Sequence, residues 1–356
     1  MSEPVLDFYT VCPFHSASFG LRGQLQSRVA FREQLGAHAR WAEEHGMRGM
    51  VFYNFGESLD AWTMATLTAS TTERLRPVVT LLSGQMDPCA VARGLLSMHY
   101  LFGRAADLNL VIGAERGRMA SDSDRATMHA RLVEEVAAIR EAMRGHAFEG
   151  AFYRFGELAL PISPDPAAEP RVFVPGSSDR SRAVVVAAAD STLLMAKPLE
   201  AMQAELVGFT GERDLPPLQH CIIVGVVARA TRGGAWVAAN ELFPRDARDK
   251  MASRVFVARA HSSQHRANLE FAREASVHDE LLWYGASKVG IDCPKLVGSY
   301  QEVAAALLRY SALGVRAYVL DLPNQIEEYA HVERVLEIVR GQSRPRGCLS
   351  AGGPRP

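Results

Sequence analysis

Short apolar segments alternate with longer segments of helical periodicity along most of this chain. The apolar segments are rich in β-branched and aliphatic residues and show no regular alternation with polar residues, which is typical of parallel strands that are buried on both faces. We predict eight strands, at Val5–Val11, Gly49–Asn54, Arg76–Leu82, Asp107–Gly113, Arg171–Val174, Thr192–Ala196, Gln219–Ala228 and Ala317–Leu322.

Amphipathic helical segments lie between these strands. Gly46, Gly103 and Gly145 each follow such a segment, where a glycine commonly ends a helix. Pro88 stands at the first turn of another segment, where proline is favoured. We predict helices at Gln26–His45, Leu59–Ser70, Pro88–Phe102, Asp122–Arg144, Ser177–Ala188, Tyr300–Ala312 and Gln325–Arg340.

Repeated strand–helix units favour a parallel sheet, and eight of them favour an α/β protein with a (β/α)₈ TIM barrel. We predict one barrel domain over residues 1–340. Residues 114–170 and 229–294 are too long for single crossovers, so we expect helical insertions there, over the C-terminal face of the barrel. A doubly wound open sheet is the alternative topology. The segment Gly341–Pro356 is rich in Gly, Pro, Ser and Arg and is predicted to be a disordered tail.

Composition narrows the class of protein. The 356 residues are 48% hydrophobic and 22% charged, with a formal net charge of −1, as in ordinary globular proteins. This balance gives no electrostatic basis for binding nucleic acid or an anionic membrane. Five scattered cysteines without CxxC spacing, together with a start that lacks a basic, apolar leader, predict a cytoplasmic protein with free thiols and no metal site.

A candidate anion site follows the fifth predicted strand. Gly176 permits a tight turn and a close approach of the backbone to a ligand. Ser177 and Ser178 then open a helix, where free N–H groups and the helix dipole favour an anion such as phosphate. The alternative is an ordinary helix N-cap, since Ser and Asp are common there.

Other residues with chemical capability lie near the strand ends where barrel enzymes place their active sites. His15 follows the first strand and either transfers protons or lines a pocket. Tyr53, at the end of the second strand, either stacks on a planar ligand or fills the barrel top. Asn109 lies in a buried strand and needs a hydrogen-bond partner, which is either a ligand or a neighbouring strand. Asp321 ends the eighth strand.

Several segments, taken in order, resemble the luciferase-like flavin monooxygenases, and most closely their alkanesulfonate monooxygenase branch. Together they span about three quarters of the chain, and their order is more specific than any one of them. The similar segments are Glu57–Trp62, Leu67–Arg76, Gly84–Pro88 with Ala92 and Arg93, Asn109–Gly113, Gly176–Ser178, Leu296–Ser299 with Val303 and Ala304, and Tyr310–Val315.

The resemblance implies a (β/α)₈ barrel that works as a two-component monooxygenase. Such an enzyme takes reduced FMN from a separate flavin reductase, and O₂ then gives a peroxyflavin that oxygenates a small organic substrate, such as a product of specialised metabolism, in a site that excludes water. A homo-oligomer, most commonly a dimer, is also implied. The implied site residues are His15 for catalysis, Gly176, Ser177, Ser178, Thr80, Asn109 and Ile112 for the cofactor, and Tyr53, Ser58 and Asp321 for the substrate pocket.

The chain departs from the alkanesulfonate branch at several positions. Ser58 stands where the branch usually has Cys, and Ile112 replaces a Thr. Gly225 and the pair Leu322–Pro323 fall about where the branch has His and Tyr. A specialised metabolite or a carrier-bound acyl group therefore fits as well as a sulfonate. The alternative functions are a deazaflavin-dependent hydride-transfer oxidoreductase of the same superfamily and a non-catalytic barrel paralogue that has lost flavin.

Overall fold

A computed structural model describes residues 6–13, 26–54, 58–112, 122–243, 263–285, 293–322 and 325–342. The strands are β1 (Asp7–Val11), β2 (Gly49–Phe52), β3 (Arg76–Leu82), β4 (Asp107–Val111), β5 (Phe148–Glu149), β6 (Arg154–Phe155), β7 (Val172–Pro175), β8 (Ser191–Met195), β9 (His220–Arg229), β10 (Val277–His278), β11 (Leu282–Trp283), β12 (Lys295–Ser299) and β13 (Val315–Asp321). The helices are α1 (Arg28–Glu44), α2 (Ala61–Ala69), α3 (Pro88–Phe102), α4 (Asp122–Arg144), α5 (Asp179–Ala188), α6 (Leu199–Val207), α7 (Arg232–Leu242), α8 (Ser263–Glu274), α9 (Tyr300–Ala312) and α10 (Tyr329–Gln342).

Eight of these strands close into a parallel barrel. They pair in the order β1, β2, β3, β4, β7, β8, β9 and β13. β13 pairs back with β1, where Phe8 lies opposite Tyr318, and β8 pairs with β9, where Leu194 lies opposite Ile222. This closure confirms the predicted (β/α)₈ barrel and excludes the doubly wound open sheet, which has two free edges.

The eight predicted strands lie within two residues of the observed barrel strands. The sequence pattern missed the short strands β10 and β11, and also β12 and α6. β12 is a short strand inside a long excursion, and it pairs with the carboxyl half of β9, from Gly225 to Arg229. This pairing is possible because β9 is long enough to extend beyond its neighbours in the barrel, and the residue pattern within β12 does not indicate it. The helix predicted at Ser177–Ala188 begins at Asp179, because Ser178 is its N-cap.

Helix caps explain several of the element ends. Asp87 accepts a hydrogen bond from the N–H of Cys89 at the start of α3, and Gly103 ends that helix in the left-handed conformation with a φ of 68°. At the start of α9, Ser299 and Glu302 form a reciprocal capping box. These local signals fix where the helices that surround the barrel begin and end.

The second predicted insertion reaches the carboxyl end of the barrel. In α8, Gln264 Oε1 accepts a hydrogen bond from the N–H of Met195 at 2.5 Å, and Gln264 Nε2 donates to the carbonyl of Leu193 at 3.3 Å. Both partners lie in the carboxyl half of β8, so α8 lies over the end of that strand.

The described part of the first insertion packs on the outer helical layer. It contains a two-stranded antiparallel hairpin, in which Phe148 of β5 lies opposite Phe155 of β6. Glu134 of α4 accepts hydrogen bonds from the backbone N–H groups of Ala151, Phe152 and Tyr153 and so binds the hairpin to that helix.

A charged network fills the amino end of the barrel interior. Arg76 Nε lies 3.2 Å from Asp107 Oδ1, and Arg171 Nη1 lies 2.9 Å from Asp7 Oδ2 and 3.1 Å from the hydroxyl of Tyr9. Burial raises the pKa of Asp107, although Arg76 opposes this change. Because chemistry in such barrels takes place at the other end, we attribute this network to stability.

The end of the chain differs from its prediction. Gly341 and Gln342 belong to α10, so the prediction of a disordered tail is wrong for these two residues. Residues 343–356 lie outside the described part, and for them the prediction stays untested. Among the described helices, none combines the length and the apolar character that crossing a membrane requires.

Candidate functional site

The interior of the barrel is filled by one cluster of inward-facing side chains, at Tyr9, Val11, Val51, Val78, Phe173, Leu193, Cys221, Ala317 and Val319. Side chains alternate between the two faces of a strand, so the next inward position lies two residues further along. On β3 and β13 this rule places Thr80 and Asp321 at the carboxyl mouth, and on β9 it places Gly225 there, one inward position beyond Ile223. Asn109 also faces inward, because it pairs with the inward-facing Phe173.

Asn109 and Thr80 meet on adjacent strands at this mouth. Asn109 Nδ2 donates to Thr80 Oγ1 at 3.0 Å, and the two residues are 3% and 4% exposed. Asn109 Oδ1 is buried and has no hydrogen-bond partner among the described residues. Leaving a buried acceptor unpaired costs about 1–3 kcal/mol, which a hydrogen bond from a ligand would offset. The partner on the neighbouring strand is thus present, and one acceptor of Asn109 is left for a ligand.

The turn after β7 has the backbone geometry that was predicted for it. Gly176 has a φ of +142°, and a Cβ there would lie 2.4 Å from the Cβ of Ser181. The turn itself therefore requires glycine, whether or not a ligand approaches it. Ser178 is the N-cap of α5, and its Oγ accepts a hydrogen bond from the N–H of Ser181 at 3.3 Å.

The N-cap bond occupies the N–H of Ser181, and the positive end of the helix dipole favours an anion at the start of α5. Ser177 and Ser178 add hydroxyl groups at the same place. Asp179 in the first turn is fully exposed, with 100% of its side chain accessible, and its carboxylate weakens the attraction of this helix end for anions.

Two features on neighbouring strands together fit a phosphorylated aromatic cofactor such as FMN. The start of α5 offers donors to a phosphate, and Asn109 offers a buried acceptor to the ring N–H of an isoalloxazine. β4 and β7 are adjacent, and Asn109 lies opposite Phe173, just before the Gly176 turn. The start of α5 and the buried acceptor of Asn109 therefore lie in one sector of the mouth, formed by β4 and β7, which we call the candidate cofactor sector.

Tyr53 and Ser58 lie beside a small cavity at the ends of β1 and β2. The cavity has a volume of about 30 Å³, enough for about one water molecule, and Cys12 also lines it. Ser58 Oγ donates to the carbonyl of Tyr53 at 3.2 Å. Burial raises the pKa of the Cys12 thiol, which is therefore neutral. Two of the three predicted pocket residues, Tyr53 and Ser58, therefore lie together, but this space is too small for a cofactor.

Two other predicted residues are placed differently or lie outside the description. Ile112 directly follows β4 and packs against the core between the barrel and its helices. Its contact with a cofactor stays a prediction. His15 lies outside the described residues, and so does its predicted role at the rim of the barrel.

Asp321 has a partner that sequence reasoning missed. Lys295 Nζ lies 2.5 Å from Asp321 Oδ2, and Cys293 Sγ donates to the same oxygen at 3.5 Å. The available signal was a lysine at the start of the apolar run Lys295–Ser299, but nothing in that run indicates which residue it pairs with. In the part of the chain that the structure describes, no group of three or more His, Cys, Asp or Glu residues is arranged to hold a metal ion.

A family model described as luciferase-like monooxygenase matches residues 6–317. A relative from Niallia circulans, 4-(γ-L-glutamylamino)butanoyl-[BtrI acyl-carrier protein] monooxygenase BtrO, is 29% identical over 315 residues, which are 86% of this chain and 91% of the relative.

Solved structures that share the fold include the following two. Riboflavin lyase RcaE, solved with modified FMN and riboflavin, has a TM-score of 0.72 at 16% identity and covers 96% of this chain and 92% of its own. The coenzyme F420-dependent tetrahydromethanopterin reductase of Methanopyrus kandleri has a TM-score of 0.63 at 11% identity, with 96% of this chain and 100% of its own covered. The barrel, together with the family match over most of its length, shows that the chain belongs to the luciferase-like monooxygenase family.

Proposed function

We propose that this protein is an FMN-dependent, two-component monooxygenase that takes reduced FMN from a separate flavin reductase and oxygenates a small organic substrate with O₂. The observation that carries the proposal is the pairing of an anion-binding helix start with a buried, unpaired acceptor, Asn109, on adjacent strands of a luciferase-like barrel. Reduced FMN, when bound, would supply the electrons that activate O₂.

The residues of this chain would bind and orient the cofactor. Ser177, Ser178 and the first N–H groups of α5 would hold the phosphate. Asn109, itself held by Thr80, would accept a hydrogen bond from the ring and fix its edge against β4. The apolar barrel interior below them would exclude water from the reaction.

His15 is the residue that we propose for proton transfer or substrate positioning. It follows the first strand in the sequence, chemistry in such barrels takes place where the strands end, and an imidazole changes its protonation state near neutral pH. Tyr53, Ser58 and Asp321 are proposed to line the substrate pocket on the remaining sides.

The substrate class is proposed from two observations. BtrO acts, by its name, on an acyl group borne by a carrier protein. In this chain Gly225 and Leu322–Pro323 stand about where the alkanesulfonate branch has His and Tyr, so sulfonate-binding groups are not in place. A carrier-bound acyl group or another small metabolite is therefore favoured over a sulfonate, and the alkanesulfonate branch is not favoured.

A deazaflavin-dependent hydride transfer remains the second candidate, because an F420-dependent reductase has the same fold. A non-catalytic paralogue is the third, and an absence of any flavin binding would favour it. We also propose a cytoplasmic homodimer, and the free thiols of Cys12, Cys89, Cys221 and Cys293 are compatible with a reducing compartment.

The test supplies the full-length protein with reduced FMN from a flavin reductase under ¹⁸O₂, with a panel of free and carrier-linked acyl substrates. We expect a product that contains one ¹⁸O atom and needs both reduced FMN and the protein. Turnover with reduced F420 and none with reduced FMN would replace the proposal with hydride transfer. Failure to bind either cofactor would support the non-catalytic paralogue.

A further inference from the structure

The side chain of Lys295 passes through the space that a side chain at position 225 would occupy. Lys295 and Gly225 are register partners on β12 and β9, so their side-chain positions share one face of the sheet. A Cβ on Gly225 would lie 1.9 Å from Cδ of Lys295. Glycine at 225 therefore admits the lysine to the mouth of the barrel.

The ammonium of Lys295 is buried and already engaged. Lys295 is 3% exposed at its side chain, and its Nζ lies 2.5 Å from Asp321 Oδ2. The same Nζ lies 5.1 Å from the centre of the Phe243 ring, within the range of a cation–π interaction. Phe243 directly follows α7, so this lysine lies beneath part of the second insertion.

Asp321, in contrast, keeps 28% of its side chain exposed. It ends β13 at an inward position, and two donors, from Lys295 and Cys293, converge on its Oδ2. The positive member of the pair is thus enclosed, and the accessible member of the pair is a carboxylate.

The position of Asp321 places it across the barrel from the candidate cofactor sector. In the ring of eight strands, β13 is four strands away from β4, the strand that carries Asn109. A substrate that lies between the two sectors would present one end to the cofactor side and the other to Asp321.

We propose that Asp321 is a substrate-contacting specificity residue that accepts a hydrogen bond from a donor group of the substrate, namely an ammonium, an amide N–H or a hydroxyl. Lys295 positions Asp321, and it can reach Asp321 because Gly225 has no side chain in its path. An anionic group of a substrate would be repelled by the exposed carboxylate of Asp321, and the ammonium of Lys295, which could attract it, is enclosed. The site should therefore disfavour anionic substrate groups. This inference names the substrate class of the monooxygenase proposed above and rests on that proposal.

The first test measures binding of four six-carbon probes to the full-length protein by calorimetry: hexylamine, hexanol, hexanoate and hexanesulfonate. We expect the two donor probes to bind at least about tenfold more tightly than the two anions. In Asp321→Asn the preference for hexylamine over the anions should fall by about tenfold. Glu327→Gln, which removes the carboxylate of an exposed residue six positions after Asp321 in the sequence, should keep the preference.

The second test separates positioning from a merely structural role. Lys295→Met leaves Asp321 without its neutralising partner, so the affinity ratio of hexylamine to hexanol should rise by at least about fivefold. A structural role would lower both affinities together. Gly225→Ala, whose Cβ would displace the lysine side chain, should raise the same ratio to a smaller extent.

Equal affinities for the four probes, tighter binding of the anions, or no binding of the donors to the wild-type protein would overturn the inference, even if a variant fails to fold. These probes need no flavin turnover. A failure here, with ¹⁸O incorporation from reduced FMN intact, would therefore leave the monooxygenase proposal standing. If the probes bind as expected but no ¹⁸O is incorporated, the monooxygenase proposal would be refuted and the proposed binding role of Asp321 would be retained.

Discussion

Replacing Asn109 with Leu and Thr80 with Val in one variant should separate the stability of the barrel from its affinity for flavin. The change removes the hydrogen bond between Asn109 Nδ2 and Thr80 Oγ1, but it also removes the buried acceptor Oδ1, which has no partner among the described residues. Replacing both partners of a buried hydrogen bond by apolar groups of similar shape is nearly neutral or stabilising. We therefore expect the free energy of unfolding to stay within about 1 kcal/mol of wild type or to rise.

Flavin binding should change in the opposite direction. A ring N–H of FMN that is buried against the introduced leucine side chain, instead of the amide of Asn109, would be left unpaired at a cost of about 1–3 kcal/mol. At about 1.4 kcal/mol for each tenfold change, the Kd for FMN should rise roughly 5- to 150-fold. Urea denaturation gives the stability, and quenching of flavin fluorescence gives the Kd.

A matched control is available on α2. Thr68 is 1% exposed and its Oγ1 has no hydrogen-bond partner among the described residues, so Thr68→Val also removes a buried unpaired group, but outside the barrel interior. Its stability should respond in the same way and its Kd for FMN should not change. A Kd for the double variant within twofold of wild type, with the control behaving as expected, would refute the assignment of Asn109 to the flavin ring.

Four further predictions concern other parts of the molecule. Replacing Ser177 and Ser178 with Ala should weaken FMN binding by about 1–3 kcal/mol and leave riboflavin, which lacks the phosphate, unaffected in a parallel fluorescence titration; equal losses for both ligands would argue against the phosphate site. The Nε2 atom of His38 lies 2.9 Å from Thr10 Oγ1, and burial lowers the pKa of this histidine from 6.5 to about 3. As the pH falls below 6.5, His38 is therefore protonated in the unfolded chain but stays neutral in the folded chain, which lowers the free energy of unfolding. Between pH 7 and pH 5 the wild type should thus lose about 2 kcal/mol more stability in urea titrations than His38→Gln, and parallel pH profiles of the two proteins would contradict this. If His15 transfers a proton, His15→Ala should lower turnover by roughly 100-fold, and if it positions substrate, KM should rise instead; wild-type kinetics would exclude both roles. Light scattering should give twice the monomer mass of 38.9 kDa, and a monomer at micromolar concentration would refute the dimer.

The barrel was predictable because its evidence is local. Eight apolar segments, each short and buried on both faces, are spaced by amphipathic helices, and the observed strands follow them within two residues. A hydrogen-bond partner on a neighbouring strand was one of the two predictions for Asn109. The structure has such a partner, because β3 and β4 are adjacent and Thr80 lies opposite Asn109 in the register.

The contacts that were missed depend on register between distant segments. Lys295 reaches Asp321 only because β12 pairs with the end of β9 and places the lysine over Gly225. No periodicity within residues 293–299 encodes that pairing. From the sequence, Gly225 shows only that a histidine of the alkanesulfonate branch is missing. In the fold, the space beside Gly225 is occupied by the side chain of Lys295.

Gly176 illustrates a second limit of sequence reasoning. Its prediction rested on a tight turn and on the close approach of a ligand to the backbone, and the positive φ and the nearby Cβ of Ser181 show that the turn alone demands glycine. A substitution at Gly176 would therefore lower stability as well as binding, which is why the test of the phosphate site uses the serines.

The measurement that tests the account most directly is a crystal structure of the protein with bound FMN. We predict density for the phosphate within hydrogen-bonding distance of Ser177, Ser178 and the first N–H groups of α5, and a ring nitrogen that donates to Asn109 Oδ1. Flavin bound elsewhere in the barrel, or no flavin in crystals that are soaked at a concentration that saturates the protein in solution, would contradict it.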